Sequence, residues 1–296
     1  MLHKLDRIAL ALALSIAPVA AAQAAEETVT FTVDDMTVVG TLNLPDGVEN
    51  PPAILLLHGF TGSRDELEIP AVEEGVYERA ARLWAEQGIA SLRIDFRFNG
   101  DSDGDFADST LGAHVKDGLG ALDFLAVSGR IDPSRMALVG WSMGGAVGAA
   151  VAARTEHDLD AVALWAPGTN MAASLTLMFG ADKVREGLAS GDAGVQLTLP
   201  WGAEIQLKSG FFESFHTIDP VAEIIAYDGP LFVAVGTNDD VVFPQPASGQ
   251  ILLDYHPGEE ELFVRPMDHV FNAFEGAGQV DELIEATGAF IAKHLD

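Results

Sequence analysis

The chain has 296 residues, of which 48% are hydrophobic and 21% are charged. This composition supplies enough apolar material for a large core and excludes an extensively disordered protein. Cysteine is absent, which excludes disulfide scaffolds, thiolate metal sites and cysteine nucleophiles. The formal net charge of −29 at pH 7 would repel a polyanion, so we expect no nucleic-acid binding.

The first 24 residues have the layout of a secretory signal peptide. Lys4 and Arg7 precede an almost wholly apolar, alanine-rich run over residues 8–22, and a small-x-small site ends at Ala24. This layout predicts cleavage after Ala24, export to the periplasm or the medium, and a mature domain over residues 25–296. An uncleaved N-terminal anchor is the alternative. The apolar run is short for a membrane span of about 20 residues, so we expect no stable membrane insertion after cleavage.

The rest of the chain alternates between strand patterns and helix patterns. Residues 28–33 and 37–44 predict an antiparallel hairpin with its turn at Asp34 and Asp35. Further strands are predicted over 53–57, 89–96, 136–140, 159–165, 231–235 and 262–264, and helices over 72–87, 111–127, 144–154 and 280–294. This alternation predicts an α/β fold with a mostly parallel, eight-stranded sheet and helices on both faces. Ligands of such sheets bind at the carboxyl ends of the strands.

Residues 168–218 interrupt this alternation, because the segment is too long for an ordinary connection. Two alternating runs, 195–199 and 203–207, flank a Pro-Trp-Gly turn and predict a β-hairpin, and a helix is predicted near residues 181–188. We interpret the segment as a cap inserted over the carboxyl edge of the sheet. Its large apolar side chains are candidates for an acyl-binding pocket, and packing among themselves is the alternative. These side chains are Met178, Phe179, Trp201, Phe211, Phe212 and Phe215.

A G-x-S-x-G pentapeptide, residues 140–144, lies between a predicted strand and a helix of small residues. A serine on such a strand-to-helix turn has a strained backbone, so the residues two positions to either side must be small. The N-terminus of the helix also offers N–H groups and a positive dipole end to a developing oxyanion. This context predicts that Ser142 is a nucleophile.

A serine hydroxyl needs a base, and the base needs an acid that orients it. Of the eight histidines, His269 lies just after the last predicted strand, on a loop at the carboxyl edge where it can face Ser142. Asp239 and Asp240 both follow the strand that ends near Val235, and chemistry alone allows either of them to orient the imidazole. The chain order serine, aspartate, histidine is the order expected for this kind of turn.

The glycine-punctuated loop over residues 58–63 is a candidate for the second oxyanion donor. Gly59 and Gly62 allow the backbone to bend so that the N–H of Phe60 points to the same place as the N–H of Met143. An ordinary glycine-rich turn is the alternative.

With these motifs, the chain resembles an α/β-hydrolase-fold serine hydrolase over essentially all of the predicted mature sequence. It is similar to the cinnamoyl (feruloyl) esterase branch and to the related serine-aminopeptidase-like and monoacylglycerol-lipase-like hydrolases. The motifs that carry the resemblance lie at residues 58–63, 95–97, 140–145, 236–239 and 268–269. The resemblance favours Asp239 over Asp240 and implies that Phe60 and Met143 supply the oxyanion amides.

The resemblance implies a serine esterase that cleaves small-molecule carboxylic esters, with short to medium or aromatic acyl groups, through an acyl-enzyme. Such chemistry requires no metal and no organic cofactor. The alternatives are an aminopeptidase, an acyltransferase or a thioesterase with the same three residues, and a non-catalytic binding module on the same fold. An aminopeptidase would need a carboxylate for the substrate's amino group, and Glu204 and Glu213 of the cap are the candidates.

Overall fold

The computed structural model of the protein describes residues 25–295. The predicted signal peptide and its cleavage site lie outside the described residues. Within residues 25–295, no helix combines the length and the apolar character needed to cross a membrane.

An eight-stranded sheet forms the centre of the described chain. Its strands are β1 (Ala25–Val33), β2 (Met36–Leu44), β3 (Ala53–Leu57), β4 (Ala90–Asp95), β5 (Met136–Trp141), β6 (Ala161–Trp165), β7 (Leu231–Gly236) and β8 (Glu260–Arg265). The spatial order is β1-β2-β4-β3-β5-β6-β7-β8. Strand β2 runs antiparallel to both of its neighbours, and the remaining pairs are parallel. The predicted mostly parallel, eight-stranded sheet is confirmed.

The turn of the first hairpin lies at the predicted acidic pair. Val33 pairs with Met36, so that only Asp34 and Asp35 connect the two strands. Both aspartates have positive φ, 47° and 62°, as a two-residue turn between right-twisted strands requires. Aspartate tolerates this conformation better than most residues, which explains why the turn needs no glycine.

The described part of the chain contains nine α-helices. They are α1 (Val76–Ala85), α2 (Leu111–Val127), α3 (Met143–Arg154), α4 (Met171–Phe179), α5 (Ala181–Ala189), α6 (Ser209–Ser214), α7 (Pro220–Ile224), α8 (Ala247–Tyr255) and α9 (Gly278–His294). Alternate side chains of β3 reach opposite layers: Ile54 and Leu56 belong to the core beneath α1 and α9, whereas Leu55 and Leu57 belong to the core beneath α2 and α3. All four are completely buried, as expected of a central parallel strand.

Helix α1 is shorter than the 72–87 segment that the sequence predicts. Glu74–Gly75 instead forms a short strand that pairs antiparallel with Glu68–Ile69. Gly75 is the N-cap of α1, and its N–H donates to the Glu78 carboxylate across 3.0 Å. The N–H groups of Val76 and Tyr77 donate to backbone carbonyls of the preceding loop, at 3.0 and 3.1 Å. The helix therefore starts at Val76, because its first N–H groups need acceptors outside the helix.

The inserted segment contains the predicted hairpin and the predicted helix. Strands Val195–Thr198 and Glu204–Leu207 pair antiparallel, and α5 covers the segment predicted near residues 181–188. Val195 and Leu197 are buried, whereas Gln196 and Thr198 face solvent. This alternation joins one face of the hairpin to the same core that lies beneath α2 and α3. Helices α4 and α6 complete the cap.

Candidate active site

Ser142 occupies a sharp turn between β5 and α3. Its backbone has φ of 56° and ψ of −114°, a conformation that is strained for a residue with a side chain. A methyl group on Gly140 would lie 2.3 Å from the carbonyl oxygen of Gly144, and one on Gly144 would lie 2.1 Å from the carbonyl oxygen of Leu57. Both glycines are therefore required for the turn to form next to β3.

The structure brings Ser142, His269 and Asp239 together. The Nε2 atom of His269 lies 2.9 Å from the Ser142 Oγ, and its Nδ1 atom lies 2.9 Å from the Oδ2 of Asp239. The Oδ1 of Asp239 accepts hydrogen bonds from the N–H groups of Val241 and Val242, at 2.8 and 2.9 Å. Both carboxylate oxygens are therefore engaged, and the imidazole lies between a hydroxyl and a fixed carboxylate.

Asp239 is 5% exposed, whereas the neighbouring Asp240 is exposed to solvent. The two residues follow β7 in a turn in which the Asp239 N–H donates to the Gly236 carbonyl at 3.1 Å. This turn directs the Asp239 side chain to His269. The geometry thus pairs His269 with the aspartate that the family resemblance favours.

Close backbone contacts fix the two loops that carry the acid and the histidine. A methyl group on Gly236, the last residue of β7, would lie 2.1 Å from the carbonyl oxygen of Met267. The indole N–H of Trp141 donates to the His269 carbonyl at 3.3 Å, and the Asp268 carboxylate accepts the Asn272 N–H at 2.7 Å. These contacts fix the backbone before and after His269, and so they fix the position of its imidazole.

Two backbone N–H groups lie beside Ser142 without acceptors. Met143 opens α3, where the first N–H groups have no partner inside the helix, and Phe60 follows β3 on the glycine-punctuated loop. Neither N–H donates a hydrogen bond within residues 25–295. A methyl group on Gly59 would lie 3.5 Å from the Ser142 Cβ, so the loop approaches the serine closely. The arrangement can present two donors to an oxyanion.

A cavity of about 670 Å³ lies over Ser142 and His269. Three of the predicted cap residues line it: Met178, Trp201 and Phe211. Trp201 lines the cavity although its side chain is 62% exposed. The ring of Phe211 stacks on that of Phe60, with 5.3 Å between their centroids. The cap therefore contacts the loop that carries one of the two unbonded N–H groups.

The prediction is wrong for the other three aromatic residues of the cap, which do not line this cavity. Phe212 is buried against α5, where a methyl group on Gly187 would lie 2.3 Å from its ring. Phe215 packs edge-to-face on Phe211, with 4.8 Å between centroids, and lines a separate cavity. Phe179 packs at the edge of the core. Successive residues of a helix point about 100° apart, so neighbouring aromatics cannot all face one cavity.

Several apolar residues that the sequence interpretation missed also line the cavity, among them Met171, Leu175 and Phe274. Met171 and Leu175 share a face of α4 with Met178. Their i, i+4, i+7 spacing is the helical signal that could have identified this face from the sequence. Phe274 belongs to an irregular turn after His269, where no periodic pattern exists.

The cap carboxylates do not reach the cavity. Glu204 and Glu213 are exposed and are not among the residues that line it. The acidic residues that do line the cavity are Glu66, Asp240 and Asp268. The structure thus contradicts the two candidates for binding a substrate's amino group.

Residues 53–190 match the family described as Serine aminopeptidase, S33. Part of the chain is similar to an uncharacterized 31.7 kDa protein from the traX-finO intergenic region of Escherichia coli, with 30% identity over 105 residues. It is also similar to Polyketide transferase ATR5 of Stachybotrys chlorohalonatus, with 31% identity over 140 residues. These alignments cover 36% and 47% of this chain, and 34% and 43% of the two relatives.

Similarity to solved structures extends over nearly the whole chain. Est1E from Butyrivibrio proteoclasticus, with ferulic acid bound, has a TM-score of 0.69 and 21% identity, and the match covers 90% of this chain and 98% of Est1E. The complex of DcsB with its substrate analogue has a TM-score of 0.74 and 18% identity, covering 92% of this chain and 99% of DcsB. The chain has the α/β-hydrolase fold. The family match over residues 53–190, which include Ser142, supports a hydrolase.

Proposed function

We propose that this α/β-hydrolase cleaves carboxylic esters through a covalent acyl-enzyme on Ser142. The proposal rests on one observation: the Ser142 hydroxyl, the His269 imidazole and the buried Asp239 carboxylate form a continuous hydrogen-bonded line. That line ends beside two unbonded backbone N–H groups and beneath a mostly apolar cavity. Nucleophile, base, orienting acid and oxyanion donors are the parts that acyl transfer requires.

In the first half of the reaction, the Ser142 Oγ attacks the ester carbonyl carbon while its proton passes to the His269 Nε2. The carbonyl oxygen becomes an oxyanion and accepts hydrogen bonds from the N–H groups of Phe60 and Met143. When the tetrahedral intermediate collapses, the bond to the alcohol oxygen breaks and His269 returns the proton to that oxygen. Asp239 keeps the imidazole in the required tautomer and stabilises its cation.

In the second half, water replaces the alcohol. His269 takes a proton from the water as the water oxygen attacks the acyl carbon, and a second oxyanion forms at the same two N–H groups. Collapse releases the carboxylic acid and restores the Ser142 hydroxyl. Every proton and bond is accounted for by this chain's own residues, the ester and water.

The lining of the cavity favours an acyl group of moderate size or an aromatic acid. Met171, Leu175, Met178 and Phe211 supply flexible and aromatic apolar surface, which suits a hydrophobic chain or a planar ring. The Est1E structure contains ferulic acid, an aromatic acid, and this similarity of fold supports including an aromatic ester among the first substrates.

The first test compares the wild type with Ser142→Ala on p-nitrophenyl esters from acetate to laurate and on methyl ferulate. We expect wild-type hydrolysis, and we expect kcat to fall about 10⁴–10⁶-fold in Ser142→Ala, since loss of such a nucleophile removes nearly all of the catalysis. A fluorophosphonate probe should label Ser142 in the wild type. A wild type that neither hydrolyses these esters nor reacts with the probe would favour a non-catalytic binding module.

Acyl transfer is the second candidate, because one relative is named a polyketide transferase. A transferase forms the same acyl-enzyme and then passes the acyl group to an alcohol or amine instead of water. Adding an alcohol acceptor to the same assay and quantifying free acid against transferred ester separates the two. Product that is almost wholly free acid supports the hydrolase.

We also propose that the protein is exported to the periplasm or the medium, on the strength of the basic, apolar and small-x-small layout of residues 1–24. Intact-mass measurement of the protein recovered from periplasmic and culture fractions should show a chain that begins at Ala25. A chain that keeps its first 24 residues and fractionates with membranes would support the uncleaved anchor instead.

A further inference from the structure

The loop that follows β3 turns back on itself, so that the Glu66 carboxylate contacts Gly59 and Gly62 near the start of the loop. Thr61 and Glu66 both have φ of 62°, a left-handed conformation that costs free energy for residues other than glycine. The Glu66 N–H donates to the Ser63 carbonyl at 3.0 Å, which closes the turn. Non-glycine residues in this conformation often mark sites where position matters more than stability.

The Glu66 carboxylate accepts a hydrogen bond from the N–H of Gly59. A methyl group on Gly62 would lie 2.8 Å from the same carboxylate oxygen, so the loop wraps tightly around this group. Burial raises the pKa of Glu66 to about 7, although the bond from Gly59 opposes that shift. Glu66 is half-buried, and a carboxyl group with a raised pKa that is hydrogen-bonded beside Ser142 is a candidate for a functional role.

The His58 side chain binds the carbonyl oxygen of Gly59. The N–H of Phe96 donates to the His58 Nε2 at 3.1 Å, so Nε2 carries no proton. The proton must then be on Nδ1, which donates to the Gly59 carbonyl at 2.8 Å. Burial lowers the pKa of His58 to about 4, consistent with a neutral ring. The Gly62 N–H also donates to the Gly59 carbonyl, at 3.1 Å.

These bonds determine where the N–H of Phe60 points. The Gly59 carbonyl and the Phe60 N–H belong to one planar, trans peptide group, in which the oxygen and the hydrogen point in opposite directions. Two donors hold the oxygen, and Glu66 holds the preceding peptide group through the Gly59 N–H. The Phe60 N–H therefore points away from these two donors and has no acceptor within residues 25–295, on a loop that approaches Ser142 closely.

We propose that Glu66 is a positioning residue that holds the Phe60 N–H in the oxyanion hole by anchoring the N–H of Gly59. This inference rests on the proposed function, since it assigns Phe60 as an oxyanion donor. Glu66 needs no contact with the reacting atoms for this role. It acts as a hydrogen-bond acceptor, and its negative charge is not required.

The test compares Glu66→Ala and Glu66→Gln with Glu68→Ala, a matched change at an exposed residue outside the cavity. Removing one oxyanion donor costs about 10²–10³ in kcat, and misplacing a donor should cost less. We therefore expect Glu66→Ala to lower kcat about 10–100-fold with KM within about twofold. Glu66→Gln should recover most of the wild-type kcat, because its amide oxygen still accepts from Gly59.

A second variant tests the same geometry without removing the carboxylate. A methyl group at Gly62 displaces the Glu66 carboxyl group, so Gly62→Ala should also lower kcat at nearly constant KM. Melting temperatures report whether each variant folds. If Glu66→Ala does not fold, the comparison of Glu66→Gln and Gly62→Ala with the wild type still decides the test. The rate of Ser142 labelling by a fluorophosphonate gives a readout that needs no known substrate, because the phosphonyl oxygen uses the same donors.

Two results would overturn the proposal. Wild-type kcat and labelling rate in Glu66→Ala would show that the anchor is unnecessary, while the esterase activity itself would stand. Equal impairment of Glu66→Gln and Glu66→Ala would show that the charge, and not the acceptor, matters. An inactive and unlabelled wild type would instead contradict the proposed function, so the two failures are distinguishable.

Discussion

Replacing Asp239 with asparagine is expected to lower kcat for ester hydrolysis about 10⁴-fold, the cost that a wrong imidazole tautomer carries in such sites. The N–H groups of Val241 and Val242 both donate to the Asp239 Oδ1, so they will hold the oxygen of an asparagine amide there. The amide NH₂ then faces the His269 Nδ1 and donates to it. The proton moves to Nε2, which can no longer accept one from Ser142.

Asp240→Asn is the matched comparison, because it makes the same chemical change one residue further along the chain. Asp240 lines the cavity but is exposed and makes no hydrogen bond to His269. We therefore expect the kcat of Asp240→Asn to change by less than about tenfold, because the imidazole keeps its tautomer. The measurement is kcat and KM on one p-nitrophenyl ester, with melting temperature as the check on folding. If Asp240→Asn were the more damaging of the two, the assignment of the orienting acid would be reversed.

The nucleophile turn and the chain order of the three residues could be predicted from the sequence because both are local signals. The pentapeptide around Ser142 imposes its own backbone geometry, and Asp239 and His269 each follow a strand that the apolar pattern reveals. Parallel strands then carry their following loops to one edge of the sheet. Position along the chain thus determines position in space, and three distant residues can be placed together without a structure.

The choice between Asp239 and Asp240 could not be made from chemistry, because adjacent carboxylates differ only in direction. That direction depends on the turn after β7, where the Asp239 N–H bonds to Gly236. The cap shows the same limit: Phe211 and Phe212 are adjacent, yet only the former lines the cavity. Hydrophobicity identifies which side chains are buried, whereas helix rotation and packing decide what they are buried against.

Glu66 had no sequence signal at all. It lies eight residues after His58 in a polar stretch, and no periodicity or motif connects it to Gly59. Its contact depends on two left-handed residues, Thr61 and Glu66, which composition does not predict because neither is glycine. Residues that hold a backbone group in place are therefore the ones that sequence patterns detect least well, even when the group they hold belongs to a recognisable motif.

A substitution at Gly144, two residues after Ser142, tests whether the site depends on the close contact between α3 and the end of β3. A methyl group on Gly144 would lie 2.1 Å from the Leu57 carbonyl oxygen and 2.4 Å from that of His58. Both atoms are backbone, so no side-chain rotation can relieve the contact. The N-terminus of α3 must move away from the end of β3, which separates Ser142 and Met143 from Phe60.

We therefore expect Gly144→Ala to lower the free energy of unfolding by about 1–3 kcal/mol or more, the range for overpacked interiors, and to lower kcat as well. The control is Gly112→Ala in α2, where a methyl group meets nothing within 4 Å. Gly112 is the second residue of α2, so this control should stabilise the protein by at most about 0.5–1 kcal/mol, because alanine loses less backbone entropy than glycine in a helix. Urea unfolding measures both variants, and kcat is measured on the same samples. Equal stability of the two variants would mean that α3 can shift at little cost, and unchanged kcat in Gly144→Ala would mean that Ser142 and Phe60 need not be held as closely as the structure places them.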